Sequence, residues 1–167
     1  TLAEAQRLFR YDPGTGALTR RVLPECPKST ATRYGGKEAG TSTWSGHRMV
    51  IIPGIGRIAT HRVIWLLMTG ALPKQEIDHK DMNGSNNIWS NLREATRSQN
   101  NSNKAIFKNN KSGLKGAYPH NQNKGWFSTI TIGKRAHYLG FFNCPVAAHL
   151  AYLVASEKAF GEFSRSA

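Results

Sequence analysis

The sequence predicts an α+β protein. It reads as a β-rich N-terminal region, a central strand–loop–strand–helix segment, and a C-terminal three-stranded antiparallel sheet packed on one helix. Three observations carry this. Clusters of Pro, Gly, Asn and Asp cut the N-terminal region into short runs. A stretch dense in Asp, His and Asn ends in a helix-capping signature. Beyond Lys115, three alternating runs give way to small residues at helical spacing.

In the N-terminal region, Arg7 to Tyr11 and Ala17 to Val22 flank the turn Asp12-Pro13-Gly14-Thr15-Gly16 and are expected to be strands. Gly46 to Ile52 and Arg57 to Thr60 flank Pro53-Gly54-Ile55-Gly56, a second hairpin. A short buried helix from about His61 to Thr69 follows, with Gly70 placed to end it. In the centre, Glu76 to His79 reads as a strand, Asn83-Gly84 as a loop and Asn91 to Arg93 as a second strand. Thr96 and Gln99 then form the capping-box pattern of a helix that carries Asn100 in its first turns.

Residues 105–114 are rich in Lys, Asn, Ser and Gly and read as a basic linker containing Lys108 and Lys111, either a solvated tether or a strap along phosphates. Lys115 to Pro119, Trp126 to Ile132 and Ala136 to Phe142 follow as strands, with turns at Asn121 to Gly125 and Gly133-Lys134. Pro145 opens a helix to about Phe160, with Gly161 beyond it and Ala147, Ala148, Ala151, Tyr152, Ala155 and Ala159 along one face. The expected domains are thus residues 1–104 (a β-rich region over 1–70 and a core over 75–104) and 115–167, joined by 105–114.

Charge narrows the function. Twenty-three Lys and Arg against ten Asp and Glu give a net +13. A short chain this basic points to a polyanion, most commonly nucleic acid, with a surface tuned for solubility as the alternative. Cys26 and Cys144 are too few for a thiolate zinc site, and free thiols in a reducing cytosol are the simpler expectation. No run reaches the roughly 18 apolar residues of a membrane span, and no signal peptide is expected.

The chemistry sits in residues 77–101. Phosphodiester hydrolysis needs a base for water and a cation to neutralise charge on the phosphate and the leaving oxygen. His79 has the right intrinsic basicity for the first task, and Asp78 and Asn100 offer hard oxygen ligands suited to Mg²⁺ or Mn²⁺. With no second imidazole on the central helix, Zn²⁺ is less favoured. Neighbours on a strand face opposite ways, so Asp78 and His79 share a site only at a strand end or around a phosphate. On spacing alone, an exposed strand-end pair explains them equally well.

These residues resemble the HNH nuclease family, in its variant with Asn at the third position. Asp78-His79 matches the opening pair, Asn91, twelve residues beyond His79, the middle Asn, and Asn100, 22 residues beyond Asp78, the last position. Asn87 and Asn91-Leu92-Arg93 follow the family's texture, with Asp81-Met82-Asn83-Gly84 a small departure. The resemblance implies an active enzyme with His79 as general base, one divalent metal on Asp78 and Asn100, and Asn91 bracing the loop and orienting His79.

Upstream, Tyr11-Asp12-Pro13, Thr15-Gly16, Gly40, His61-Arg62 and Gly70 resemble phage and prophage HNH endonucleases, which implies action in the cytoplasm of a bacterial host. His61 and Arg62 would join the active site, touch phosphate or pack on the hairpin. Trp65 and Trp89 read as core residues, and Arg93 as a DNA contact.

Residues 114–164 resemble the DNA-binding domain of plant ethylene-response (Apetala-type) factors, on Gly116, Trp126, Ile130, Tyr138-Leu139-Gly140, Phe142, Ala147-Ala148, Ala151-Tyr152 and Gly161. That family lays its sheet in the DNA major groove. Alternation puts Trp126, Ser128, Ile130 and Ile132 toward the helix, and Phe127, Thr129 and Thr131 on the DNA side with Tyr118, His120 and Tyr138. Lys134 and Arg135 would hold phosphate at the turn. This face is short of arginines, so affinity is expected to exceed sequence reading, and a sheet that serves only as scaffold is the alternative. The expected partner is double-stranded DNA, bound by a monomer or weak homodimer. The rival reading is a non-catalytic DNA-binding regulator on the same scaffold, with a packaging protein more distant.

Overall fold

The computed structural model describes residues 1–44, 46–106, 109–122 and 124–165. Lys108 of the expected linker, and Asn123 of the expected turn, lie outside them. The fold is α+β, in two compact units, residues 1–94 and 95–167.

The first unit opens with a helix that runs into the segment expected to start a strand at Arg7. Helix α1, Leu2–Leu8, precedes β1, Phe9–Tyr11, and β2, Leu18–Arg20. Thr1 caps α1 by accepting from the Glu4 N–H, the same Thr-x-x-acid/amide logic as at Thr96. Ala5 and Phe9 then fall on one buried side. A second unforeseen helix, α2, Lys28–Tyr34, buries no residue and has no side-chain cap, so nothing periodic announces it.

Strands β3, Thr41–Ser42, β4, Arg48–Ile52, and β5, Gly56–Ala59, form an antiparallel sheet in chain order. Helix α3, Thr60–Thr69, ends at Gly70, whose φ of 80° is the left-handed cap expected there. Its Val63, Ile64 and Leu66 pack with Phe9, Leu18, Val50 and Ile52 in a core that also takes Ile77 and Leu92. Trp65 and Trp89 flank this core with ring centroids 5.1 Å apart, in agreement with their reading as core residues. The final pair of strands is β6, Glu76–His79, and β7, Leu92–Ala95.

The second unit takes Ala95 into its core, beside Ile130, Tyr152, Phe160 and Phe163. Helix α4, Arg97–Asn103, carries the complete capping box of Thr96 and Gln99. It belongs to this unit, where Ser102 lies 3.3 Å from the buried Ser156. Strands β8, Ala117–His120, β9, Gly125–Ile132, and β10, Arg135–Phe142, form an antiparallel sheet with β9 in the middle. Gly133 and Lys134, with φ of 55° and 71°, make the tight β9–β10 turn. Helix α5, Pro145–Phe160, covers the sheet through Ala148, Tyr152, Ser156 and Phe160. Ala159 is exposed, so the buried stripe is rotated from the alanine face read in the sequence. A Cβ on Gly116 would sit 2.2 Å from the Tyr152 ring, which fixes glycine where β8 passes under the helix. No helix among the described residues is long and apolar enough to cross a membrane.

Candidate active site

Strand β6 delivers Asp78 and His79, each only 4% exposed. That burial removes the exposed strand-end reading. His79 is the last residue of the strand, the position at which two neighbours can serve one site.

Asp78 is tied across the sheet: Arg93 on β7 donates from Nε to its Oδ2 at 2.9 Å. Both side chains are largely buried, so the pair is shielded from the screening that weakens surface ion pairs. Arg62, on α3, donates to the carbonyls of Gln75 at 3.1 Å and Pro73 at 3.3 Å. The structure thus gives both arginines partners inside the unit.

His79 Nε2 lies 3.1 Å from Asn87 Oδ1. A carboxamide oxygen only accepts, so Nε2 carries the hydrogen and the imidazole lone pair sits on Nδ1. Burial lowers the His79 pKa and so favours the neutral ring, against the opposing effect of its hydrogen bond to Asn87. Asn87 is itself buried, and its carbonyl accepts from the Tyr11 hydroxyl at 2.7 Å. The N-terminal hairpin presses on the same segment: Trp89 N–H donates to the Pro13 carbonyl at 3.3 Å, and a Cβ on Gly16 would meet the Ile88 nitrogen at 2.5 Å.

Asn91 organises the loop between β6 and β7. Its Nδ2 donates to Asp81 Oδ1 at 2.9 Å and to the Asn86 carbonyl at 2.8 Å, while its Oδ1 accepts from the Asp81 N–H at 3.1 Å. Burial works to raise the Asp81 pKa, but bonds from Asn86, Asn91 and the Asn83 backbone hold it below the usual carboxylate range. Inside this loop Met82 has a φ of 62°, the left-handed conformation that favours glycine. Asn87, which in the sequence is only family texture, supplies a side-chain hydrogen-bond contact to His79. Asn100 is the fourth residue of α4 and half-buried.

Sequence reasoning misses a three-histidine cluster. His47, in the turn before β4, and His61, the second residue of α3, join His79 with ring centroids 5.2 to 5.6 Å apart. One ring nitrogen from each lies within 4.8 Å of the others. Burial first, then the neighbouring His79, His47 and Arg62, depresses the His61 pKa to about 3, so this ring is neutral. His61 draws attention at its helix start, but His47 carries no local signal, because hairpin geometry alone brings it here.

In the second unit, Tyr118 and Tyr138 are exposed on the sheet face away from α5, and Phe127 stacks on Tyr118 at 5.5 Å. His120 meets Phe127 and Phe141 edge-on. Phe141 is not foreseen by alternation. A bulge between Tyr138 and Gly140 shifts the register, so Phe141 pairs with Phe127 and joins the Tyr138 face. Thr129 pairs with Tyr138 and Thr131 with Ala136 on that same face. Arg135 pairs with Ile132, on the opposite side, while Lys134 and Lys111 are exposed.

Comparison with curated proteins and with solved structures gave no match. A family model described as HNH endonuclease matches residues 59–102, the span from α3 through most of α4, so the central segment that holds His61, Asp78, His79, Asn87, Asn91 and Asn100 is similar to that family.

Proposed function

We propose that the chain is a divalent-metal-dependent DNA endonuclease with His79 as general base. The observation that carries this is the buried His79 whose Nε2 donates to Asn87 Oδ1, within the segment that matches the HNH endonuclease family. With its lone pair on Nδ1, the imidazole takes a proton from water as the water oxygen attacks phosphorus. The new P–O bond forms as the P–O3′ bond breaks. The products are a 5′-phosphate and a 3′-hydroxyl, the latter protonated from solvent.

Asp78 and Asn100 are the proposed ligands of one Mg²⁺ or Mn²⁺. Their fit is one of donor chemistry: a carboxylate and a carboxamide each offer a hard oxygen of the kind that Mg²⁺ and Mn²⁺ take. When bound, the ion supplies charge neutralisation at the phosphate and leaving oxygen. Arg93 orients the Asp78 carboxylate, and Asn91 keeps the loop in shape around Asn87.

The exposed aromatic face of the C-terminal sheet is proposed to lie on double-stranded DNA, with Tyr118, His120, Phe127, Thr129, Thr131 and Tyr138 against it. Lys134, Lys111 and Lys108 are proposed for the phosphates; Arg135, on the opposite side of the sheet, is not. The exposed Tyr118, Tyr138 and Phe141 on one side of this sheet support a surface open to a partner. One base and one metal cut one strand, so a monomer nicks.

A supercoiled plasmid tests this. Mg²⁺ or Mn²⁺ is expected to give open circles, and EDTA to stop the reaction. Equal cleavage in EDTA would exclude a metal-dependent nuclease; binding without cleavage in either ion would favour a DNA-binding regulator.

A further inference from the structure

We propose that His47, His61 and His79 form a second metal site, selective for Zn²⁺ over Mg²⁺, and that filling it switches the nuclease off. The switch rests on the reading of His79 as general base; the site does not.

Three observations support the site. A ligand nitrogen of each histidine lies within 4.8 Å of the other two, and the three side chains come from separate elements that converge only in the folded unit. Tetrahedral Zn²⁺ with Zn–N near 2.0–2.1 Å places its ligand nitrogens about 3.4 Å apart, so small ring movements close the set. His79 already has the outer partner of a metal-bound imidazole, a ring N–H held by an oxygen, here Asn87 Oδ1 at 3.1 Å. Last, His47 Nδ1 is buried with no hydrogen-bond partner among the described residues. The loop at Gly84 passes close to that ring, a Cβ there falling 2.6 Å from Nδ1. His47 also lies outside the segment that matches the HNH endonuclease family.

The chemistry separates the two ions. Neutral imidazoles suit Zn²⁺, whereas Mg²⁺ prefers oxygen and keeps its waters. With Asn87 bonded at Nε2, His79 binds metal through Nδ1, the atom that would otherwise take the proton from water. One Zn²⁺ therefore removes the base while the proposed oxygen ligands remain for Mg²⁺.

The test uses Zn²⁺ alone, added to the DNA-free full chain, with the imidazole nitrogens of its six histidines followed by ¹H–¹⁵N correlation. One Zn²⁺ per chain is expected to shift His47, His61 and His79 and leave His120, His137 and His149 in place. His47→Gln and His61→Gln are each expected to weaken Zn²⁺ binding by at least about tenfold. No binding, or shifts confined to the other three rings, overturns the site whether or not either variant folds. Cleavage is then measured at constant Mg²⁺ with rising Zn²⁺. Inhibition is expected to follow occupancy, and the folded Gln variant that still cuts is expected to need correspondingly more Zn²⁺. Undiminished or faster cleavage with the site filled overturns the switch. A protein that binds Zn²⁺ at these rings but never cuts in Mg²⁺ overturns the nuclease reading and the switch, and leaves the site standing.

Discussion

Arg93 and Asp78 face each other from adjacent strands, and the energetics of that pair are asymmetric. A buried carboxylate that loses its cation retains the desolvation cost without the attraction, typically about 3–5 kcal/mol. Arg93→Ala is therefore expected to lower stability by about 3 kcal/mol, seen as a shift of the urea midpoint. Arg93→Lys restores little, because an ammonium cannot reproduce the planar donor at Nε. A loss below about 1 kcal/mol would show a pair already solvated. At this scale the sequence is partly legible. Asp78, His79 and Asn91 stand out by type and spacing. The bond that His79 donates to Asn87 does not, because it depends on how the loop folds back. His47 is invisible for the same reason.

The N-terminal hairpin acts as a brace for the element that carries Asn87. Tyr11 bonds the Asn87 carbonyl, and burial, with the Asp12 charge second, raises its pKa from 10.0 to about 12. The protonated phenol is the form the fold favours. Its contribution is therefore complete below pH 10 and is lost as pH rises through about 12. Stability measured across that range is expected to fall more steeply for wild type than for Tyr11→Phe. At neutral pH, Tyr11→Phe is expected to cost about 1 kcal/mol. Parallel curves would mean that burial does not raise the Tyr11 pKa. Elements with local signatures are the legible ones: the capping box of α4, Gly70 after α3, and α5 from Pro145 to Phe160. Helix α1 has its own signature in Thr1 and Glu4, masked by the β-like run after it. Helix α2 buries nothing and gives no periodic signal.

Across the whole molecule, the net +13 is the property most directly tied to DNA. Each phosphate neutralised contributes about −0.9 to the slope of log affinity against log salt. Lys134→Gln is expected to reduce that slope by about one unit without changing preference between sequences, measured by binding titrations at several salt concentrations. An unchanged slope would remove Lys134 from the DNA surface. The α+β class and the C-terminal sheet-and-helix unit are legible because alternation, turns and caps agree with one another there. The grouping of α4 with the second unit is not, since it depends on Ala95 and Ser102 finding tertiary partners.

The role of His79 as the base is checked by single-turnover cleavage in Mg²⁺ with wild type and His79→Ala, with DNA affinity measured for both. The expected result is a rate loss of at least about 10²-fold with affinity nearly unchanged. Cleavage by His79→Ala at the wild-type rate would contradict the account.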